Sequence, residues 1–320
     1  GLALRLAVVD VVGTGAAVGL GGYAFFRSGL VMPVVSEAEA ACAASMLACA
    51  AAAGSSSAVD LIREAYPDLP SRLLPTLRQA ARFGDMLALL GLGLVFCVFD
   101  QAPGHATAFA PNPASWAWAT LGVGVGLGAV FALFLGNEAN DNSRFLALVG
   151  ITVFAAGASF FLEISALTVN MLLGAVLVNS KDGPAVAETL DSSLKPVTLV
   201  LMVFAGAMWV PVPALAAVVV VAGYIATRGA SKATSLLLAS LGTPLRRDVF
   251  RGLMAQGNVS VAIAVTFRLV YQGPAADLAY TAVLVSVMIH QLLSPRMVKR
   301  LLIDAGELDS DARFTRAGAA

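Results

Sequence analysis

Runs of about twenty apolar residues, separated by short polar or proline-bearing loops, recur along the whole chain. A helix rises about 1.5 Å per residue and a bilayer's hydrocarbon core is about 30 Å thick, so roughly 20 such residues make one crossing. The pattern predicts about ten helical segments, near 3–26, 38–64, 76–100, 115–135, 144–162, 167–179, 195–210, 214–241, 248–271 and 278–301. The sixth and seventh are short. The expected fold is an all-α polytopic membrane protein.

Composition strengthens that expectation. The chain is 58% hydrophobic and 12% charged, against about 25% charged for soluble domains. So few charges cannot coat a 320-residue chain in water, but lipid asks for an apolar exterior. A net charge of zero without a basic tract argues against a nucleic-acid partner. Cys42, Cys49 and Cys97 show neither metal nor redox spacing and read as small buried hydrophobes. No cofactor is expected.

Lys and Arg give the orientation, because cytoplasmic loops collect them. Alternate loops hold Arg63 to Arg82, then Arg144, then Lys181 and Lys195, then Arg246 to Arg251, then Arg296 to Arg300. The loops between them, such as "VPVPA", hold none, and only Arg27 and Arg268 fall near the opposite face. Both termini are therefore expected on the cytoplasmic side of a cell (inner) membrane, with residues 304–320 a short polar tail.

Two segments are poor continuous helices. The second is interrupted by Gly54-Ser55-Ser56-Ser57 and the ninth by Gln256-Gly257-Asn258, residue types that favour caps and turns. Small residues also permit tight packing of unbroken helices. The two interruptions, however, fall in the second of the first three spans and the second of the last three. Paired interruptions at corresponding positions point to an inverted repeat with a site between them.

Charges inside the spans supply candidate chemistry. Asp85 stands in the third span, "ARFGDMLALLGLGLVF". An acid at a helix centre costs about 2.5–3.5 kcal/mol on the insertion scale, so it is expected to face a polar cavity. Arg228 and Lys232, four apart on the eighth span, share a helix face, and either can neutralise Asp85. Asp60, just past the first interruption, lines the cavity or ends the half-helix. Asp10 and Glu163 read as polar contacts, and His290 as a packed histidine. No Ser/His/Asp or HExxH-type constellation occurs, so an intramembrane enzyme is disfavoured.

The order of these features resembles the monovalent cation:proton antiporter superfamily, the sodium/hydrogen exchangers, and within it the second cation–proton antiporter branch. Ser55-Ser56-Ser57-Ala58-Val59-Asp60 is similar to the break in that family's first interrupted helix, and Gly84-Asp85 to its paired acidic motif. "EISALTVNMLLGAVLVNS" and the stretch from Gly257 and Asn258 to Ala264 resemble two later motifs. The resemblance implies a transport core made by residues 1–100 and 213–303, moving against scaffold spans at 101–212 that dimerise. It implies that Asp85 binds H⁺ or a monovalent cation, Na⁺ or K⁺, by alternating access. Ser55, Ser56, Ser57 and Asn258 would add neutral oxygens, and Arg228 or Lys232 would serve as the basic partner. Gly84, Ser57 and Asn258 depart from the family pattern, and further N-terminal spans are usual there. A shortened or degenerate, non-transporting membrane subunit of the same fold is the alternative.

Overall fold

The computed structural model describes residues 1–30, 33–99, 113–135, 141–243 and 245–309. The protein is an all-α, multi-pass membrane protein. Among the described residues eight segments are long and apolar enough to cross a bilayer, counting the interrupted stretch Glu37–Ala65 as one. Residues 100–112 of the expected third span and following loop, and most of the polar tail, lie outside the described residues.

The helices are α1 (Leu2–Ser28), α2 (Glu37–Ala52), α3 (Ser57–Ala65), α4 (Leu73–Phe99), α5 (Pro113–Leu135), α6 (Asp141–Phe161), α7 (Ala166–Val178), α8 (Gly183–Ala207), α9 (Ala214–Ser240), α10 (Asn258–Val270) and α11 (Pro274–Asp304). A 3₁₀ turn, Val249–Gly252, precedes α10. Local chemistry sets several starts. Ser36 and Glu39 form a reciprocal capping box on α2. Ser71 Oγ accepts the Leu74 N–H at the head of α4. α8 begins some twelve residues before the expected seventh segment. Its first turns carry Glu188 and Asp191, which end a hydropathy run without ending the backbone hydrogen-bond ladder.

The chain forms two compact units. The first comprises residues 1–88 and the described residues from 205 onward; the second comprises 89–204. In the second unit α7 packs between α5 and α6. Gly124 and Gly128 make the α5–α7 approach possible: a Cβ on Gly124 would lie 2.7 Å from Leu172 Cβ, and one on Gly128 2.8 Å from Val176 Cβ. Small residues four apart let backbones approach where lipid supplies no hydrophobic drive. The left-handed Glu163 (φ 58°) turns the chain from α6 toward α7, where Ser165 caps the new helix.

In the first unit α1 packs on α2 and α9, while α11 packs on α2, α3, α9 and α10. One apolar core, including Leu6, Ile62, Leu77, Leu236, Val298 and Leu301, closes its arginine-bearing end. The stretch Glu37–Ala65, which holds α2 and α3, is the most enclosed of the long apolar segments.

Candidate functional site

α2 stops at Ala52. Residues 53–56 are non-helical, and α3 restarts at Ser57. A helix C-terminus leaves up to four carbonyls without partners, and in a bilayer only protein or enclosed water can satisfy them. Here Ala53 N–H takes Cys49 O at 3.1 Å. Ala50 O accepts from Gln256 Nε2 (3.0 Å) and from Ser260 Oγ (2.9 Å). Ala51 O accepts from Arg228 Nε at 3.1 Å.

The second interruption, residues 253–257, lies against the first. A Cβ on Gly257 would fall 2.4 Å from Ser55 Oγ and 2.8 Å from Ser55 Cβ, so only glycine fits. Arg228 spans both: its Nη1 donates to Met254 O (2.9 Å) and its Nη2 to Ala255 O (3.3 Å). Gln256 is fully buried and adds bonds to Tyr224 Oη and Ser286 Oγ. His290 packs by Nδ1 against Ser286 O at 2.8 Å, as expected of a core histidine.

Asp85 stands beside this joint. Its carboxylate lies near the Gly54 N–H and within electrostatic reach of Lys232. Its Oδ1 is enclosed and has no hydrogen-bond partner. Gly84 leaves room alongside: an added Cβ would come no closer than 3.9 Å to Ala52 O and Val11.

The basic residues divide their work differently from expectation. Lys232 Nζ pairs directly with Asp10 Oδ2 at 2.5 Å, both side chains being at least 93% enclosed. Thr14 Oγ1 donates to the other oxygen of Asp10 at 3.0 Å. Arg228 binds carbonyls, so neither base makes a direct ion pair with Asp85. Asp10, read from sequence as a polar contact, is the residue that sequence reasoning undervalued. The available signal was of the kind that singled out Asp85, a lone acid in an apolar span.

The remaining candidates are placed as follows. Ser55 Oγ and Ser57 Oγ bond each other at 2.8 Å, and Ser56 Oγ donates to Asp60 Oδ2 at 2.6 Å. Asp60 is half-buried and paired with Arg78 at 2.8 Å, which ties α3 to α4. Asn258 is exposed in the first turn of α10. The three cysteines are buried. Among the described residues no group of three His, Cys, Asp or Glu is placed to hold a metal ion.

Together these groups make a buried polar joint within a membrane-embedded helical bundle, an architecture consistent with transport across a membrane. In comparisons with known proteins, no family model matches the chain and no curated protein matches it.

Proposed function

We propose that the protein is a secondary active transporter that exchanges a monovalent cation, Na⁺ or K⁺, for H⁺, with Asp85 as the shared seat. The observation that carries this reading is the enclosed, unpartnered Asp85 Oδ1 beside the helix interruption at Gly54. A buried carboxylate oxygen with no donor in a bilayer protein is costly unless it binds something. A proton and a metal cation compete for the same lone pairs.

The arrangement supports an inverted repeat in which α1, α2/α3 and α4 correspond to α9, the interrupted stretch ending in α10, and α11. Alternating access would come from motion of this core, with both termini cytoplasmic. Stoichiometry follows from charge. Asp10, Asp85, Arg228 and Lys232 sum to zero when all are ionised. Loading Asp85 with H⁺ or with a monovalent cation then gives the core the same charge, so one-for-one exchange is electroneutral.

A non-transporting member of the same fold is favoured by one observation: Ser55, Ser56 and Ser57 spend their hydroxyls on one another and on Asp60, not on Asp85. Proteoliposomes loaded with a pH dye and pulsed with Na⁺, K⁺ or Li⁺ separate the two readings. The exchanger releases protons on the pulse, and Asp85→Asn abolishes the release. Absence of release with every cation, or its survival in Asp85→Asn, would rule out the exchange reading at this site.

A further inference from the structure

Away from the joint, the hairpin from α3 to α4 contains a feature that the transport reading does not use. α3 ends at Ala65, and the turn Tyr66–Ser71 is held by Leu69 N–H on Tyr66 O (3.3 Å) and Ser71 N–H on Leu69 O (2.8 Å). Pro67 and Pro70 in the turn, and Pro75 in the first turn of α4, carry no backbone N–H. A cleft of about 150 Å³ is left, with Val59, Leu69 and Leu74 as apolar wall and Arg63, Tyr66 and Arg78 among its polar lining.

Charge at the cleft is unbalanced toward the cation. Arg78 is matched by Asp60. Arg63 is exposed in the last turn of α3, and no partner for its guanidinium is found among the described residues. Glu64 and Asp68 flank the turn in sequence but do not line the cleft, and Glu307 is already spent on Ser71 Oγ (2.5 Å) and the Arg72 N–H (3.1 Å). A guanidinium fork matches the oxygens of a phosphate, and a tyrosine beside an apolar wall suits the zone where headgroup meets acyl chain. The cleft also sits at the end of the bundle where arginines gather.

From this geometry we propose that the α3–α4 cleft binds the phosphodiester headgroup of an anionic phospholipid, with Arg63 as the anchoring cation, Arg78 in support and the apolar wall taking the first part of an acyl chain. The site is independent of ion exchange at Asp85. It places a lipid against the Asp60–Arg78 pair, and hence against the link from the interrupted helix to α4.

The test uses the full chain in neutral detergent, titrated with short-chain phosphatidylglycerol, short-chain phosphatidylcholine or inorganic phosphate, and read by the thermal unfolding midpoint. Phosphatidylglycerol should raise the midpoint saturably and phosphatidylcholine should not. Arg63→Gln should weaken the phosphatidylglycerol response about fivefold, the usual worth of one basic residue at an anionic lipid. Arg63→Lys should recover part of it. Equal responses to the two lipids, an Arg63→Gln response like that of the parent, or an inorganic phosphate response matching the lipid's would each overturn the proposal.

Discussion

Asp10→Asn is the sharpest probe of the buried charges. The change preserves shape and leaves Thr14 a hydrogen-bonding partner, but removes the direct counter-charge of Lys232, whose side chain is 0% exposed. Breaking a buried pair by deleting one partner costs about 3–5 kcal/mol, because the surviving charge stays buried. Asp85 lies within reach of Lys232 and compensates in part, which puts the expected loss near the lower end, about 3 kcal/mol. At roughly 2–4 °C per kcal/mol for units of this size, the unfolding midpoint should fall by about 6 °C or more. The assay is a thermal melt of the purified protein in detergent, with parent and variant scanned at one rate. Lys232→Met in the Asp10→Asn background should recover part of the loss, since no ammonium is then left buried without its direct counter-charge. A single-variant shift below about 2 °C, or a double variant worse than the single, would refute the reasoning.

Other expectations follow from the same contacts. Arg228→Lys keeps a charge but cannot span Ala51, Met254 and Ala255 together. It should cost about 2–4 kcal/mol in the same melt, two charge-assisted bonds at roughly 1.5–3 kcal/mol each less what the ammonium retains. Gly257→Ala should destabilise by about 1–3 kcal/mol through overpacking against Ser55, and Ser55→Gly should rescue it. Gly84→Ala, with open space around its added methyl, should instead be neutral or stabilise by about 0.4–1 kcal/mol. At the loop before α10, desolvation pushes the Asp248 carboxyl up. The Arg246 hydrogen bond and charge, helped by Arg251, outweigh it, and the group ends below its ordinary 3.8. A depressed folded-state value means stability present above pH 3.8 and lost as pH falls through the folded value. The stability difference between the parent and Asp248→Asn should therefore shrink in strong acid, as melts across pH would record.

Much of the fold was legible because hydropathy reports directly on the solvent around a span. Both interruptions were visible too, since Gly54 to Ser57 and Gln256-Gly257 are weak helix formers wherever they occur. Asp85 stood out because one acid in an apolar run has few inexpensive explanations. The pairing of charges was not legible. Spacing on one helix says that Arg228 and Lys232 share a face, but not which helix that face meets. Asp10 lies 222 positions from Lys232, and only packing of α1 on α9 joins them. The serines illustrate the same limit: their hydroxyls suited an ion by type, yet the geometry of a restarting helix turns them onto Asp60 and one another. The late start assigned to the seventh segment has a different cause, because charged first turns hide a helix from hydropathy without unwinding it.

Helix polarity explains why each charge sits where it does. The last turn of α2 and the stretch after the 3₁₀ turn end in carbonyls, the negative ends of their segments, and Arg228 occupies both. Asp85 lies close to the Gly54 N–H, in the non-helical stretch between α2 and α3. A base on carbonyls satisfies groups that would otherwise be bare in a medium without water. Had Arg228 turned to Asp85 instead, the Ala51, Met254 and Ala255 carbonyls would have lost a donor, at several kcal/mol for each group left unsatisfied. Their separation is therefore imposed by the backbone. Because Arg228 is held by carbonyls and Lys232 by Asp10, one enclosed Asp85 oxygen is left without a hydrogen-bond partner.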